Sequence, residues 1–585
     1  MRLIDRIFPI VDSFKGYTKS TFSHDLIAGL TVAIMLVPQG MAYALLTGVP
    51  PIYGLYGGLI PLFLYALFGT SRQMSIGPVA ISALLVLGGV STLATPETPE
   101  FISLVITVGL LVGLAQMLLG FLRLGFLVNF LSHPVIIGFT SAAAIIIAIS
   151  QLKDLLGFPI PRGLSVTGAI QYAGQHIGQT NWISVAFCLG GIALMFILRA
   201  INKKIPDALI VVILGTLLSW GLNLNSYGLS IVGEVPEGLP SFQLPDMSWT
   251  TIQLLGETTL TVTIICIVES LAIAKVLEAK HQDYTVRPNQ ELFALGISKI
   301  GGAFFQAIPT SGSFTRSAIN HESGAKTTIS SIITGLLIGL TLLFLTPLFY
   351  YLPRAILAAI ILLAVKSLFD LKEAIHLWHT HKEDFWMMLI TFIVTLVVSI
   401  PVGIFTGVLL SIGAILYHST HPHIAILGRI EGTNYYRNIN RFEDAIEFDH
   451  KIILRFDDQL YFANASFFKD RIKQIVQVIN RPIKYFYLDA SDIHKMDSSG
   501  LHALEEIHQY LKQQNIVLCI CSARGPVRDM LFKSGLMETI GRENQFLSIQ
   551  AAHLFHSQEA DGQRMPSENA LQTDYDDGSE LKIET

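Results

Sequence analysis

The chain has 585 residues, enough for several domains; 51% are hydrophobic and only 14% charged, which places it in the membrane class and against a wholly soluble protein. Its net charge of −5 is small and argues against a nucleic-acid partner. Cys188, Cys266, Cys519 and Cys521 lack metal-like spacing and read as reduced packing residues, so no metal or cofactor is expected.

A helix needs about 20 apolar residues to cross a bilayer. Residues 1–24 mix charge with aromatics and read as a cytoplasmic lead-in. Apolar runs follow near 26–46 and 52–69, then a short hydroxyl-bearing segment near 76–92. Further runs lie near 101–121, 125–150, 183–200, 208–221, 257–276 and 290–306. A second short segment near 312–320 precedes runs at 328–347, 353–368, 385–400 and 402–417. Counting the two short segments as half-helices gives fourteen elements, with the half-helices third and tenth. Their spacing predicts a seven-plus-seven repeat, and broken helices meeting at the midplane of inverted repeats are a transporter architecture.

Lys and Arg test this count. Connections after even-numbered elements carry Arg72, Arg123, Arg199, Lys203, Lys204, Lys280, Arg287, Lys326, Lys372 and Lys382, whereas those after odd-numbered ones hold Lys153, Arg162 and Arg354. Both termini are therefore expected in the cytoplasm, with residues 25–418 forming the membrane domain. Residues 419–444 read as a linker. Strands alternating with helices over 445–556 predict a small α/β domain, in which KIILRFDDQLYFANASFFKDRIKQIVQVI reads as a short strand pair followed by an amphipathic helix. The acidic, polar tail 557–585 is expected to be disordered.

Four sets of residues carry chemistry. Ser75–Ile76–Gly77–Pro78 and Thr310–Ser311–Gly312–Ser313 each lead into a half-helix, whose first N–H groups attract negative charge. Arg316 follows in the first turn of the second; it either serves an anion or fixes packing as a salt bridge. In the first element Gln39 lies between Pro38 and Gly40, with Tyr43 one turn on and on the same face; both line a site, or Gln39 only joins helices. Glu269 is read as the one other strong intramembrane charge near the repeat core, neutralising Arg316 or carrying a proton. Lys299, inside the ninth element, needs a partner that the sequence does not name. The Asp497–Ser498–Ser499–Gly500 segment reads as a helix N-cap, with serine phosphorylation the alternative.

These residues carry a family resemblance. PQGMAYALLTGVPPIYGLYGGLIPLFLYALFGTSRQMSIGP and NQELFALGISKIGGAFFQAIPTSGSFTRSAIN resemble the two signature stretches of the SulP anion transporters. LDASDIHKMDSSGLHAL resembles the core of a STAS domain. The resemblance implies an inverted-repeat fold with a core of elements one to four and eight to eleven, a gate of the rest, and a homodimer. It places Gln39 and Tyr43 beside the anion. Gly77, Pro78 and Val79, and Ser311, Gly312, Ser313 and Phe314, would offer backbone N–H groups, and Arg316 positive potential. Proton-coupled relatives carry a glutamate at the place of Glu269.

Each helix start contributes roughly +0.5 charge, so two starts and Arg316 make roughly +2, which an ionised Glu269 lowers to roughly +1. A protonated Glu269 thus suits a dianion, and the expected function is sulfate–proton symport across the cell inner membrane by alternating access. The alternatives are a bicarbonate or other monovalent-anion transporter, a channel-like or exchanging protein, and a membrane-anchored signalling protein with a soluble partner for its STAS domain. No nucleophile–base constellation or phosphate loop suggests an enzyme.

Overall fold

The computed structural model describes residues 8–14, 16–125, 132–161, 164–202, 206–366, 369–479 and 481–560. It divides into two units, Met1–Ser411 and Ile412–Thr585. The first holds α1 (Lys19–Thr47), α2 (Ile52–Tyr56), α3 (Ile60–Phe68), β1 (Ile76–Gly77), α4 (Ala80–Val90), α5 (Pro99–Phe121), α6 (His133–Ser150), α7 (Trp182–Ile201) and α8 (Asp207–Gly221). It continues with α9 (Trp249–His281), α10 (Pro288–Phe304), β2 (Ser311–Gly312), α11 (Phe314–Glu322), α12 (Ile329–Phe344), α13 (Arg354–Val365) and α14 (Lys382–Val397), and α15 (Ile400–Thr420) leads out of it. With α2 and α3 taken as one broken span, these are the fourteen expected elements in the expected order. Among the described residues, six helices are long and apolar enough, by length and composition, to cross a membrane.

Packing partners reveal the repeat. The first element packs on the tenth and eleventh (α1 on α11 and α12), and the eighth on the third and fourth (α9 on α4 and α5). The second packs on the eleventh (α3 on α12), the ninth on the fourth (α10 on α5). The fifth packs on the thirteenth (α6 on α14), the twelfth on the sixth (α13 on α7). Each contact thus recurs seven places along the chain, the count taken round the fourteen. Seven is odd, so an element and its counterpart cross in opposite senses and the repeat is inverted. Elements one to four and eight to eleven form the core set; the gate set includes α6–α8, α13 and α14.

Local chemistry shapes the core set. Thr18 caps α1 by accepting from the Thr21 N–H at 3.2 Å, and Gly48, at φ +88°, ends it. Inside α1, Pro38 supplies no N–H, which leaves the Ile34 carbonyl without its helical donor. Beside it Gly40 meets Gly54; a Cβ on Gly54 would lie 1.9 Å from the Gly40 carbonyl oxygen, so only glycine allows this approach.

The second unit is built on a seven-stranded sheet: β3 (Ile424–Ile430), β4 (Tyr436–Asn438), β5 (Ala445–Ile446), β6 (Lys451–Phe456), β7 (Tyr485–Asp489), β8 (Val517–Cys521) and β9 (Gln545–Phe546). β6, β7, β8 and β9 run parallel, and β3 joins antiparallel to β6, to β4 and to β5. Strand alternation gives two cores. Ile452, Leu454, Phe486, Leu488, Leu518 and Ile520 face α16 (Ala465–Val478) and α17 (Ser498–Gln513). Tyr485, Tyr487, Cys519 and Cys521 face the other way, with Phe546 and the helix α18 (Ile549–Ala560). All four cysteines are buried and free.

Two features differ from the sequence reading. β3 and β4 lie within 419–444, the stretch read as a linker; β3 follows so closely on α15 that its apolar residues merge with the end of the span. The strand pair expected before α16 is the single strand β6, followed by an irregular segment touching Met496 through a bridge at Leu460. The tail from residue 561 lies outside the described residues.

Candidate functional site

β1 and β2 pair antiparallel, Ile76 opposite Gly312 and Gly77 opposite Ser311, so the starts of α4 and α11 face each other. Hydrogen bonds lock this crossing: Ser313 N–H donates to the Ser75 carbonyl at 3.0 Å, Ser75 N–H to Ser317 Oγ at 2.9 Å, and Gly312 N–H to Ser270 Oγ at 3.0 Å. Two sequence expectations change here. The amides of Gly312 and Ser313 are spent on structure, and Pro78 has no N–H to offer. The amide donors left to a ligand are the first-turn ones, which have no intrahelical acceptor. In α4 these follow Val79, whose side chain provides no cap. In α11 Ser313 Oγ takes the Arg316 N–H at 3.4 Å, so the Phe314 and Thr315 amides remain. Phe314 is half exposed.

Arg316 is fully buried in the first turn of α11. Its Nη1 donates to Gln39 Oε1 at 3.3 Å, whereas its Nε and Nη2 have no hydrogen-bond partner among the described residues. A buried guanidinium with unmet donors is costly unless it meets an anion. Gly77 makes room for it: a Cβ there would lie 3.1 Å from Arg316 Nη2. Tyr43 is buried within electrostatic reach of both Arg316 and Glu269. Glu269 Oε2 accepts from Ser311 Oγ at 3.1 Å, and Ser311 Oγ lies 3.1 Å from Ser270 Oγ. The structure thus brings Gln39, Tyr43, Gly77, Val79, Arg316 and Glu269 to one crossing.

The expectation that Glu269 is the one other strong charge near the core is corrected by Lys299 and Glu291, both buried. Lys299 Nζ donates to Gln116 Oε1 at 2.8 Å, the partner the sequence does not name. Glu291, at the start of α10, accepts from Tyr65 Oη at 2.9 Å, from Thr70 N–H and Oγ1 at 2.5 Å each, and from Ser71 N–H at 2.9 Å. It holds the loop that leads into β1. Asp25 does the same after α11, accepting from Lys326 N–H at 2.7 Å, Thr327 N–H at 3.1 Å and Thr327 Oγ1 at 2.6 Å. Ser270, which supports β2, follows Glu269 directly; two adjacent polar residues in an apolar span were its signal.

In the second unit Asp497 caps α17, its Oδ1 accepting from Gly500 N–H at 2.8 Å and its Oδ2 from Phe462 N–H at 3.0 Å. Gly500 passes the Leu460 carbonyl so closely that a Cβ would lie 2.4 Å from its oxygen. Ser498 is exposed and Ser499 half-buried. No group of three or more His, Cys, Asp or Glu able to hold a metal occurs among the described residues.

Comparison with known proteins follows these two units. Residues 22–391 match the sulfate permease family and residues 436–552 the STAS domain. The chain is 40% identical over 569 residues to the chloroplastic sulfate transporter 4.1 of Arabidopsis thaliana, covering 94% of this chain and 82% of that one. It is 33% identical to the high affinity sulfate transporter 2 of Stylosanthes hamata, covering 93% and 85%. A solved structure of SLC26A9 superposes with a TM-score of 0.86 at 26% identity, covering 96% of this chain and 94% of that one. The transmembrane domain of the cyanobacterial bicarbonate transporter BicA shares the fold, with a TM-score of 0.59 at 23% identity over 67% of this chain and 98% of that one.

Proposed function

We propose that this chain, which belongs to the sulfate permease family and carries a STAS domain, takes up sulfate together with protons by alternating access. The observation that carries the reading is Arg316, fully buried between two facing helix starts with Nε and Nη2 unpartnered among the described residues. The first-turn amides of α4 and α11 and the guanidinium all direct N–H groups to one place, the donor set that an oxyanion satisfies. Gln39 orients Arg316, and Tyr43 lines the site. The names of the relatives from Arabidopsis and Stylosanthes support sulfate as the anion.

Glu269 decides the charge. Ionised, it opposes a dianion; protonated, it leaves roughly +2 from Arg316 and the two helix starts. Its link to Ser311 couples it to β2, one wall of the site. Loading of a proton and of sulfate therefore favour each other. Movement of the core set against the gate set then carries both across. The Lys and Arg distribution supports placing both termini in the cytoplasm. A homodimer in the cell inner membrane completes the reading.

Purified full-length protein in proteoliposomes tests this. Labelled sulfate accumulates above equilibrium under an inward proton gradient, and unlabelled sulfate competes better than bicarbonate, chloride or dicarboxylates. Accumulation of bicarbonate in preference to sulfate, or sulfate flux that only equilibrates, would refute it.

A further inference from the structure

A recess of about 40 Å³ lies on the seam between the core set and the gate set. Residues of α1 and α4 line one side, and residues of α6, α13 and the short helix Leu152–Leu156 the other. Lys153, Asp154 and Arg354, all half-buried, bring charge to it. From α1 come Ala42 and Leu46. Gln39, Ala42 and Leu46 follow one another at three and four residues, so they share a stripe of that helix. Leu46 stands about 10 Å along the axis from Gln39, toward the end of α1 that the Lys and Arg distribution places outside. The recess thus continues the face of α1 that meets Arg316.

Its charge is unlike that of the rest of the outer side. The connection between α4 and α5 carries Glu97, and that between α8 and α9 carries Glu234, Glu237 and Asp246, with no Lys or Arg in either. Of the three cations in the outer connections, Lys153 and Arg354 both line this recess, and Arg162 lies outside the described residues. Bringing two like charges to one recess costs repulsion, and Asp154 offsets only one of them. The backbone holds both cations there. Arg354 N–H donates to the Ser230 carbonyl at 2.9 Å and its Nε to the Ile231 carbonyl at 3.3 Å. The turn that carries Lys153 is closed by the Asp154 and Leu155 amides, which donate to the Gln151 carbonyl at 3.1 and 2.9 Å.

We propose that Lys153 and Arg354 form an outer capture site for an inorganic dianion, the station it occupies before it reaches Arg316. The inference rests on the reading of this chain as a sulfate transporter whose core and gate sets part during the cycle. Parting them opens the recess, and apolar walls that include Leu87, Leu357 and Ile361 focus the field of the two cations. The acids of the other outer connections repel the anion, so it collects at the seam.

Membrane vesicles of both orientations, made from cells expressing the full chain, provide the test, with initial rates of labelled sulfate uptake measured at each face. Arg354→Gln and Lys153→Gln each raise the KM for sulfate at the outer face about tenfold with little change in kcat, and leave the KM at the cytoplasmic face as it was. Asp154→Asn lowers the outer KM. Arg354→Lys, which keeps the charge but not the guanidinium that meets Ile231, retains the wild-type KM. An outer KM that neither glutamine variant moves, or one raised equally at both faces, would overturn the capture site. An Arg354→Lys protein as impaired as Arg354→Gln would overturn the part given to Arg354. Wild-type vesicles that take up no sulfate at either face would instead overturn the function on which the inference rests.

Discussion

Gly77→Ala tests the crossing on which the site depends. The added Cβ would lie 3.1 Å from Arg316 Nη2, 3.3 Å from Leu36 Cδ1 and 3.6 Å from Arg316 Cζ. The residue also sits at φ +154°, a conformation that alanine adopts only under strain. Such strain costs about 1–3 kcal/mol. β1 and β2 are two residues each and are tied on both sides by the Ser75–Ser313 and Gly312–Ser270 hydrogen bonds, so the backbone has little room to relax. The guanidinium must move instead, away from the helix starts. The expected loss in kcat/KM for sulfate is about 5- to 150-fold, the equivalent of 1–3 kcal/mol. Gly88→Ala is the matched control: it is in the same half-helix, no atom lies within 4 Å of its added Cβ, and alanine favours a helix. Initial rates of labelled sulfate uptake, normalised to folded protein in the vesicles, compare the two. Wild-type kinetics in Gly77→Ala would refute the placing of Arg316 against β1.

Two further outcomes concern the supports of the site and the second unit. Glu291→Ala leaves Tyr65 Oη and the donors of Thr70 and Ser71 without their acceptor, costing at least about 3 kcal/mol; the melting temperature and sulfate uptake fall together, and an unchanged melting temperature would contradict the clamp. His553 is held down to about 4 by burial and by Lys451, Arg429 and His556, against an unfolded value of about 6.5. Below pH 6.5 the unfolded state takes a proton that the folded state refuses, so the second unit loses stability as pH falls toward about 4. Protection factors of the β6, β7 and β8 amides, with the intrinsic pH dependence of exchange divided out, fall over that window, and His553→Gln makes this fall shallower; equal slopes in both proteins would contradict it.

Much of this was legible in the chain because membrane helices declare themselves through length and composition. The half-helices were readable from Gly77, Pro78, Gly312 and the serines around them, since residues that suit broken backbone stand out in an apolar sequence. What stayed hidden depends on partners far apart in the chain. Glu291 looks like an ordinary first-turn acid until Tyr65, Thr70 and Ser71 converge on it. Gln116 looks like a stray amide until α5 meets α10 at Lys299. The spending of the Gly312 and Ser313 amides on Ser270 and Ser75 could not be read from helix-start patterns, which do not say which N–H already has an acceptor. The hairpin of β3 and β4 was masked by its position directly after an apolar span.

In the proposed cycle one carboxyl, Glu269, must be protonated for the dianion to bind at Arg316. Sulfate-driven proton movement tests it most directly. Vesicles holding the full chain, with equal pH inside and out and a pH-sensitive dye trapped inside, receive external sulfate. The lumen is expected to acidify as sulfate enters, and Glu269→Gln to abolish the acidification. Sulfate entry without any change in internal pH, or acidification that persists in Glu269→Gln, would contradict it.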